Sequence, residues 1–419
     1  MLDFSLVTCY HNTVLLNYDE DELMKDQLLH TPEGVRDIYG AEYEKKMIMD
    51  DRLHSIIRKY GYHPIQTPTF EYFDVFGKDI GTTPSKDLYK FFDREGNTLV
   101  LRPDITPSIA RAAAKYYMEE DRPLRLSYVG NTFINNTSYQ GRLKENTQLG
   151  AELINDGTVD ADAEMIALTS ECFIKAGLTD FQISVGHVGF LKAVCEMGGI
   201  SKEDGEIIRN LISIKNYFGA EEYASTLQVE EETLAIFRML PTFLGGKEML
   251  AKAKEYVQNN DKAIASIERL EELADVLSYY GCEKYVSFDL SFLSPYDYYS
   301  GIIFDGYTFG SGEAIAKGGR YDELLNYFGK PAPAVGFVIM LDDLMTALRR
   351  QKIEIPVNNN KVLLLYSSAN RKHAVEKAKN LREFGRCVEM MQLDKKYNKK
   401  IYEEYATANH ISEIIRVDE

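Results

Sequence analysis

The chain has 419 residues, 45 % of them hydrophobic and 27 % charged, an ordinary globular composition with room for two or three domains. Its formal net charge of −17 argues against a strongly basic nucleic-acid-binding surface, and no apolar run approaches the roughly 20 residues of a membrane span. Five scattered cysteines without a CxxC pair and seven histidines without HExxH spacing offer no zinc site and no disulfide framework, which fits a reducing cytoplasmic setting and a protein without metal or cofactor.

Residues 1–23 carry no clear period and lack the basic start of a signal peptide. Met24 opens MKDQLLHTPEGVRDIYG as a natural start, so 1–23 reads as an over-extended reading frame or a frayed terminus whose deletion leaves folding intact. TPEGVRD (Thr31–Asp37) precedes an amphipathic helix. Tyr43, Met47, Leu53, Ile56, Ile57 and Tyr60 fall near helical spacing there, and Gly61 is the stop. Ile65–Phe73 reads as a strand in which Pro68 marks an edge or bulge. Leu99–Arg102 is a short strand. DITPSIARAAAKYYM (Asp104–Met118) is an Ala-rich helix that starts near Asp104, because Pro107 is tolerated only in a first turn.

The stretch 124–154 reads as two strands joined by the polar loop Asn135–Gly141. Leu124, Leu126 and Tyr128 alternate into the first, and Phe133 and Ile134 continue it past Gly130. In the second, Leu149, Ala151 and Leu153 lie on one face and Gln148, Gly150 and Glu152 on the other. A polar face of this kind points at solvent or at a ligand. Residues 159–176 form a helix closed by Gly177, and Phe181–His187 a strand. Residues 188–275 are mostly helical, with breaks at Gly198–Gly199 and Gly245–Gly246. Strands follow at Tyr285–Phe292 and Gly301–Phe309, with Gly318–Gly319 as a tight strand-end turn. Pro333–Leu348 is a strand running into a helix. After a polar linker (Arg349–Asn360) the chain reads strand (Val362–Tyr366), helix (Arg371–Phe384), strand (Cys387–Gln392), helix (Lys396–Ala406), strand (Ile411–Val417). This α/β unit holds 12 Lys or Arg against 9 Asp or Glu, too small an excess for a nucleic-acid reader.

The motifs Thr31–Phe73, Leu124–Ile154 and Pro333–Leu348 resemble, in order, the three signature motifs of class II aminoacyl-tRNA synthetases, most closely histidyl-tRNA synthetase. The resemblance implies an α+β fold. Its core (24–350) is an antiparallel sheet flanked by helices, with a helical insertion at about 188–275. A small C-terminal α/β domain (361–419) resembles a truncated anticodon-binding domain. The resemblance also implies a histidine pocket at Asp104, Thr106, Gln148, Glu152, Tyr299 and Tyr321, although Asp104 alone fits an N-cap and the tyrosines alone fit a core. Asp297, Tyr298, Tyr299 and GGRYD (Gly318–Asp322) match the family as they stand. Three arginines that would hold ATP and assist adenylation are replaced, by Ile134, Ser294 and Asp343. A guanidinium donates bidentately to oxyanions, isoleucine donates nothing, and a carboxylate repels a triphosphate.

A pocket kept and its catalytic cations lost resembles the regulatory subunits of ATP phosphoribosyltransferase, and TPEGVRDIYG, RPDITPSIAR and QLGAELI are similar to that family. Membership implies a non-enzymatic chain that pairs with a short catalytic subunit in the first step of L-histidine biosynthesis. It further implies a homodimer through the first motif within a hetero-oligomer, L-histidine as a feedback signal, and no tRNA contact. A divergent active histidyl-tRNA synthetase, or another histidine- or RNA-binding regulatory paralogue, fits the same frame with different chemistry.

Overall fold

The computed structural model describes residues 29–77, 83–136, 143–294, 296, 298–357, 360–394 and 396–417. The reading of residues 1–23, most of the Asn135–Gly141 loop and Asp297 lie outside them.

Helix α1 (Gly40–Lys59) buries Met49, Leu53, Ile56 and Ile57 and ends before Gly61, whose φ of +86° suits glycine. Of the predicted strand Ile65–Phe73 only β2 (Phe70–Tyr72) is a strand; β1 (His63–Pro64) lies just before it, in a different sheet. Pro68 has no N–H for a ladder, and the Thr67 and Pro68 carbonyls accept instead from the Arg102 guanidinium at 3.0 and 3.2 Å. β2 pairs with β4 (Thr98–Leu101), which pairs with β3 (Lys90–Phe92), in the order β2-β4-β3. Their register sets Phe70, Tyr72, Leu99, Leu101 and Phe91 on one outer face, and Phe70 and Tyr72 are half-exposed. The inner face carries Glu71, bound by Arg111 at 2.8 Å.

Helix α2 (Thr106–Tyr116) has Pro107 in its first turn, as predicted. Strands β5 (Leu124–Phe133) and β6 (Glu145–Ile154) form an unbroken antiparallel hairpin, Leu124 opposite Ile154 and Phe133 opposite Glu145. Helix α3 (Val159–Ala176) is capped by the Thr158 hydroxyl and closed by Gly177 at φ +104°. After β7 (Phe181–His187), the helical region runs through α4 (Val188–Met197), α5 (Lys202–Ser213), α6 (Tyr217–Thr226), α7 (Glu231–Met239), β8 (Leu244–Gly245), α8 (Lys247–Tyr256) and α9 (Asp261–Tyr280). Its Phe190, Ile208, Phe237, Leu250 and Leu270 belong to the same buried cluster as Leu53, Leu168 and Phe304, so the region is built into the main core.

Strands β9 (Val286–Asp289), β10 (Ile302–Thr308), β11 (Ala316–Arg320) and β12 (Ala334–Met340), followed by α10 (Leu341–Arg350), complete the core. The nine-stranded sheet has the order β1-β5-β6-β12-β11-β10-β7-β9-β8. Its centre is antiparallel, but β1–β5 and β7–β9 are parallel, so the sheet is mixed at its flanks. Gly318–Gly319 is not a turn. Both glycines lie inside β11, and a Cβ on Gly318 would stand 2.3 Å from the Phe304 ring. The C-terminal unit runs β13 (Lys361–Tyr366), α11 (Arg371–Glu383), β14 (Cys387–Gln392), α12 (Lys399–Ala408), β15 (Glu413–Val417), a parallel sheet in the order β14-β13-β15. Lys361 pairs with Glu44 of α1 at 2.6 Å.

One ionic cluster ties the sheet to its helical layer. Asp162 of α3 is fully buried. Its Oδ1 accepts from Arg320 Nε at 2.8 Å and its Oδ2 from Arg269 Nε of α9 at 2.9 Å. Arg320 also donates to the carbonyls of Asp156 and Thr158.

Candidate ligand-binding site

Alternation along β6 turns Gln148, Gly150 and Glu152 to the side of the sheet away from α3, and pairing sets Gly336 beside Glu152 and Val338 beside Gly150. On β11, Gly319 lies opposite Gly336, and Lys317 shares its side. Tyr321 follows at the strand end. The middle of this floor is therefore glycine. A Cβ on Gly336 would come within 1.6 Å of Glu152 Oε2, one on Gly319 within 2.7 Å of the Tyr299 ring, and one on Gly150 within 2.6 Å of the Tyr128 hydroxyl. Above the floor is a cavity of about 540 Å³.

All six predicted pocket residues line this cavity: Asp104, Thr106, Gln148, Glu152, Tyr299 and Tyr321. Ile134 and Asp343 line it as well. Ser294 does not. It borders a much smaller void with Tyr299 and Lys317, and its hydroxyl accepts from Tyr296 N at 3.1 Å.

Glu152 is the best-held of these groups. Its Oε1 accepts from the Thr106 hydroxyl at 2.9 Å and the Tyr128 hydroxyl at 3.2 Å, and its Oε2 from the Tyr321 hydroxyl. Asp104 accepts from the Thr106 N–H at 3.3 Å, so it both steadies the start of α2 and lines the cavity. Both carboxyls are buried, and among the described residues neither has a cationic partner. Burial pushes Glu152 up to about 8, against three hydroxyl donors that favour its charge, and Asp104 up to about 6, against the N–H groups of Thr106 and Ile105. Gln148 Oε1 and Asn146 Oδ1 are buried without a hydrogen-bond partner among the described residues. Burial also raises Asp343, which accepts from Asn146 Nδ2 at 3.4 Å.

The raised Glu152 carboxyl makes stability depend on pH. Its proton favours the folded state, fully below its ordinary 4.5, and that contribution is lost as pH rises through about 8. Urea unfolding at pH 5 and pH 8 is expected to show a loss for the ligand-free protein that exceeds the loss in Glu152→Gln by at least about 1 kcal/mol, since the amide does not titrate. Equal losses in both proteins would place no buried proton on Glu152.

Sequence reasoning missed Tyr128, Tyr296 and Lys317, all of which act on or line the site. Tyr128 was within reach, because its partner in the hairpin, Gly150, lies on the polar face of β6. The far end of the cavity also has cations that no motif position marked: Lys144, Lys317 and Arg350.

Behind the hairpin, odd-numbered residues of the same strands face a second crevice of about 420 Å³ lined by Asp50, Asn131, Glu145 and Thr147. There Lys46 of α1 bridges Asp342 at 2.6 Å and Thr147 Oγ1 at 2.8 Å.

The sequence pattern of the family Histidyl-tRNA synthetase matches residues 34–344. An ATP phosphoribosyltransferase regulatory subunit of Acetivibrio thermocellus is 38 % identical over 88 % of this chain and 88 % of its own length. The protein of the same name from Caldanaerobacter subterraneus is 37 % identical over 87 % of this chain and 94 % of its own. A crystal structure described as an ATP phosphoribosyltransferase regulatory subunit/histidyl-tRNA synthetase from Bacillus halodurans superposes with a TM-score of 0.83 at 32 % identity, covering 94 % of this chain and 99 % of that one. The histidyl-tRNA synthetase of Nostoc shares the fold, with a TM-score of 0.78 at 19 % identity over 93 % of this chain and 92 % of its own.

Proposed function

Since this chain belongs to the family of ATP phosphoribosyltransferase regulatory subunits, we propose that it is a non-catalytic subunit whose activity resides in a short catalytic chain. That chain would join ATP to phosphoribosyl pyrophosphate in the first step of L-histidine biosynthesis, and this subunit would read histidine as the feedback signal. The observation that carries the proposal is the division of the cavity. At one end two buried carboxyls stand without a cationic partner among the described residues, which suits an ammonium or an imidazole. At the other, Ile134 and Asp343 replace the arginines of the synthetase pattern, and the cations that line that end, Lys144, Lys317 and Arg350, come from positions outside that pattern.

The subunit is proposed to work as a homodimer in the cytoplasm. Supporting the pairing are the half-exposed Tyr43 and Met47 on α1 and the open apolar face of β2-β4-β3. No helix among the described residues is long and apolar enough to cross a membrane.

Two assays test the reading together. Histidine-dependent pyrophosphate exchange is expected to stay at the no-enzyme level, while addition of this chain to the catalytic subunit raises phosphoribosyl transfer at least tenfold and makes it histidine-sensitive. Exchange above background would return the chain to the synthetases. Catalytic chains fully active and regulated alone would remove the regulatory role, and a monomeric mass by light scattering would remove the dimer.

A further inference from the structure

The cavity has a charge axis that its carboxyls alone do not explain. Lys317 lies on the floor side of β11, opposite Asp305 of β10 and Val338 of β12. It lines both the main cavity and the small void that holds Ser294 and Tyr299. Asp305 on one side and Asp343 on the other both feel its charge. Two strands across and two residues along from Glu152, it sits on the order of 12 Å away between Cα atoms. Both side chains rise from the same face of the sheet, so their charged ends stand about as far apart as their Cα atoms, a span that histidine bridges with its imidazole toward Glu152 and its carboxylate toward Lys317. Of the other two cations lining the cavity, one is fixed by its stem and the other by its guanidinium. The Lys144 stem packs where a Cβ on Gly34 would stand, 2.6 Å away, and Arg350 Nη1 donates to the Gly310 carbonyl at 2.6 Å.

We propose that Lys317 is the anchor for the ligand's α-carboxylate, which makes the cavity a receptor for a zwitterionic amino acid and not for an amine. A free amino acid carries an anion as well as a cation. Carboxyls at one end and an ammonium at the other match both, whereas carboxyls alone would take histamine as readily as histidine. An ammonium on a four-carbon stem also suits a carboxylate better than a triphosphate here, because Asp343 shares the space. Lys317 is then a specificity residue supplied by β11, whereas Ser294 lies in the segment between β9 and β10. The proposal rests on the reading of the cavity as a histidine sensor.

Calorimetric titration of the full-length chain, alone and with its catalytic subunit, with L-histidine and with histamine separates the two ideas. The wild type is expected to bind histidine at least tenfold more tightly than histamine. Lys317→Met should weaken histidine at least tenfold and leave histamine unchanged, Lys317→Arg should recover part of the difference, and Lys144→Met should keep all of it. Histidine preference undiminished in Lys317→Met, loss of both ligands together, or a wild type indifferent to the carboxylate would each overturn the anchor. Failure of the wild type to bind either ligand in either form would overturn the sensor reading itself.

Discussion

Glu152→Ala is expected to raise the histidine concentration needed for half-inhibition of the assembled enzyme by about 10- to 100-fold. The carboxyl is buried beneath the ligand space and orders three hydroxyls, so its removal takes away the ligand's charged partner and leaves Thr106, Tyr128 and Tyr321 without their acceptor. Loss of a hydrogen bond to a charged group commonly costs about 1.5–3 kcal/mol, which converts to that range. Tyr321→Phe removes a single donor and is expected to move the curve in the same direction by less, with no cavity made. Inhibition curves, each normalised to that complex's uninhibited rate, make the comparison. Two variants with wild-type sensitivity would move the histidine site out of this cavity, to a boundary between subunits.

The largest effect on stability is expected at Asp162. Asp162→Ala leaves the Arg320 guanidinium buried with backbone carbonyls and the partly exposed Asp322 as its remaining partners. Breaking a buried pair from one side typically costs about 3–5 kcal/mol, because the remaining charge stays desolvated. Arg269 is nearer the surface and can turn to water, so the cost falls on Arg320. Urea unfolding followed by circular dichroism measures it, and a change below about 1 kcal/mol would show that the cluster is dispensable. Tyr321 is the next residue after Arg320, so histidine sensitivity should decline in the same variant. Asp162→Asn, which keeps the shape and an acceptor, should fall between.

Local chemistry made much of this fold readable. Gly61 and Gly177 stopped their helices where a left-handed residue was needed, Pro107 marked a first turn, and strict alternation in 145–154 placed Gln148 and Glu152 on one face. What failed depended on distant partners. Ile65–Phe73 reads as one strand until Arg102 claims the carbonyls at Thr67 and Pro68. Gly318–Gly319 looks like a turn because the usual reason for paired glycines is conformational. Here the reason is space, since Phe304 and Tyr299 occupy what side chains would fill. The pocket positions were legible through the resemblance. Lys317 was not, because its part in the site depends on strand order and on the hollow made by glycines of two other strands.

The hairpin of β5 and β6 is a wall shared by two chambers of different character, and parity alone decides which residue serves which. A substitution in this wall alters one chamber at one point. Inserting or deleting a single codon between 145 and 152 would do something else: it would reverse every strand residue on one side of the change, so that either the preceding residues such as Glu145 turn toward the ligand or the following ones such as Glu152 turn away from it. Lineages of this gene can therefore explore the wall by point mutation but not by changes of length, and the loop that joins its strands is where length variation is free to accumulate.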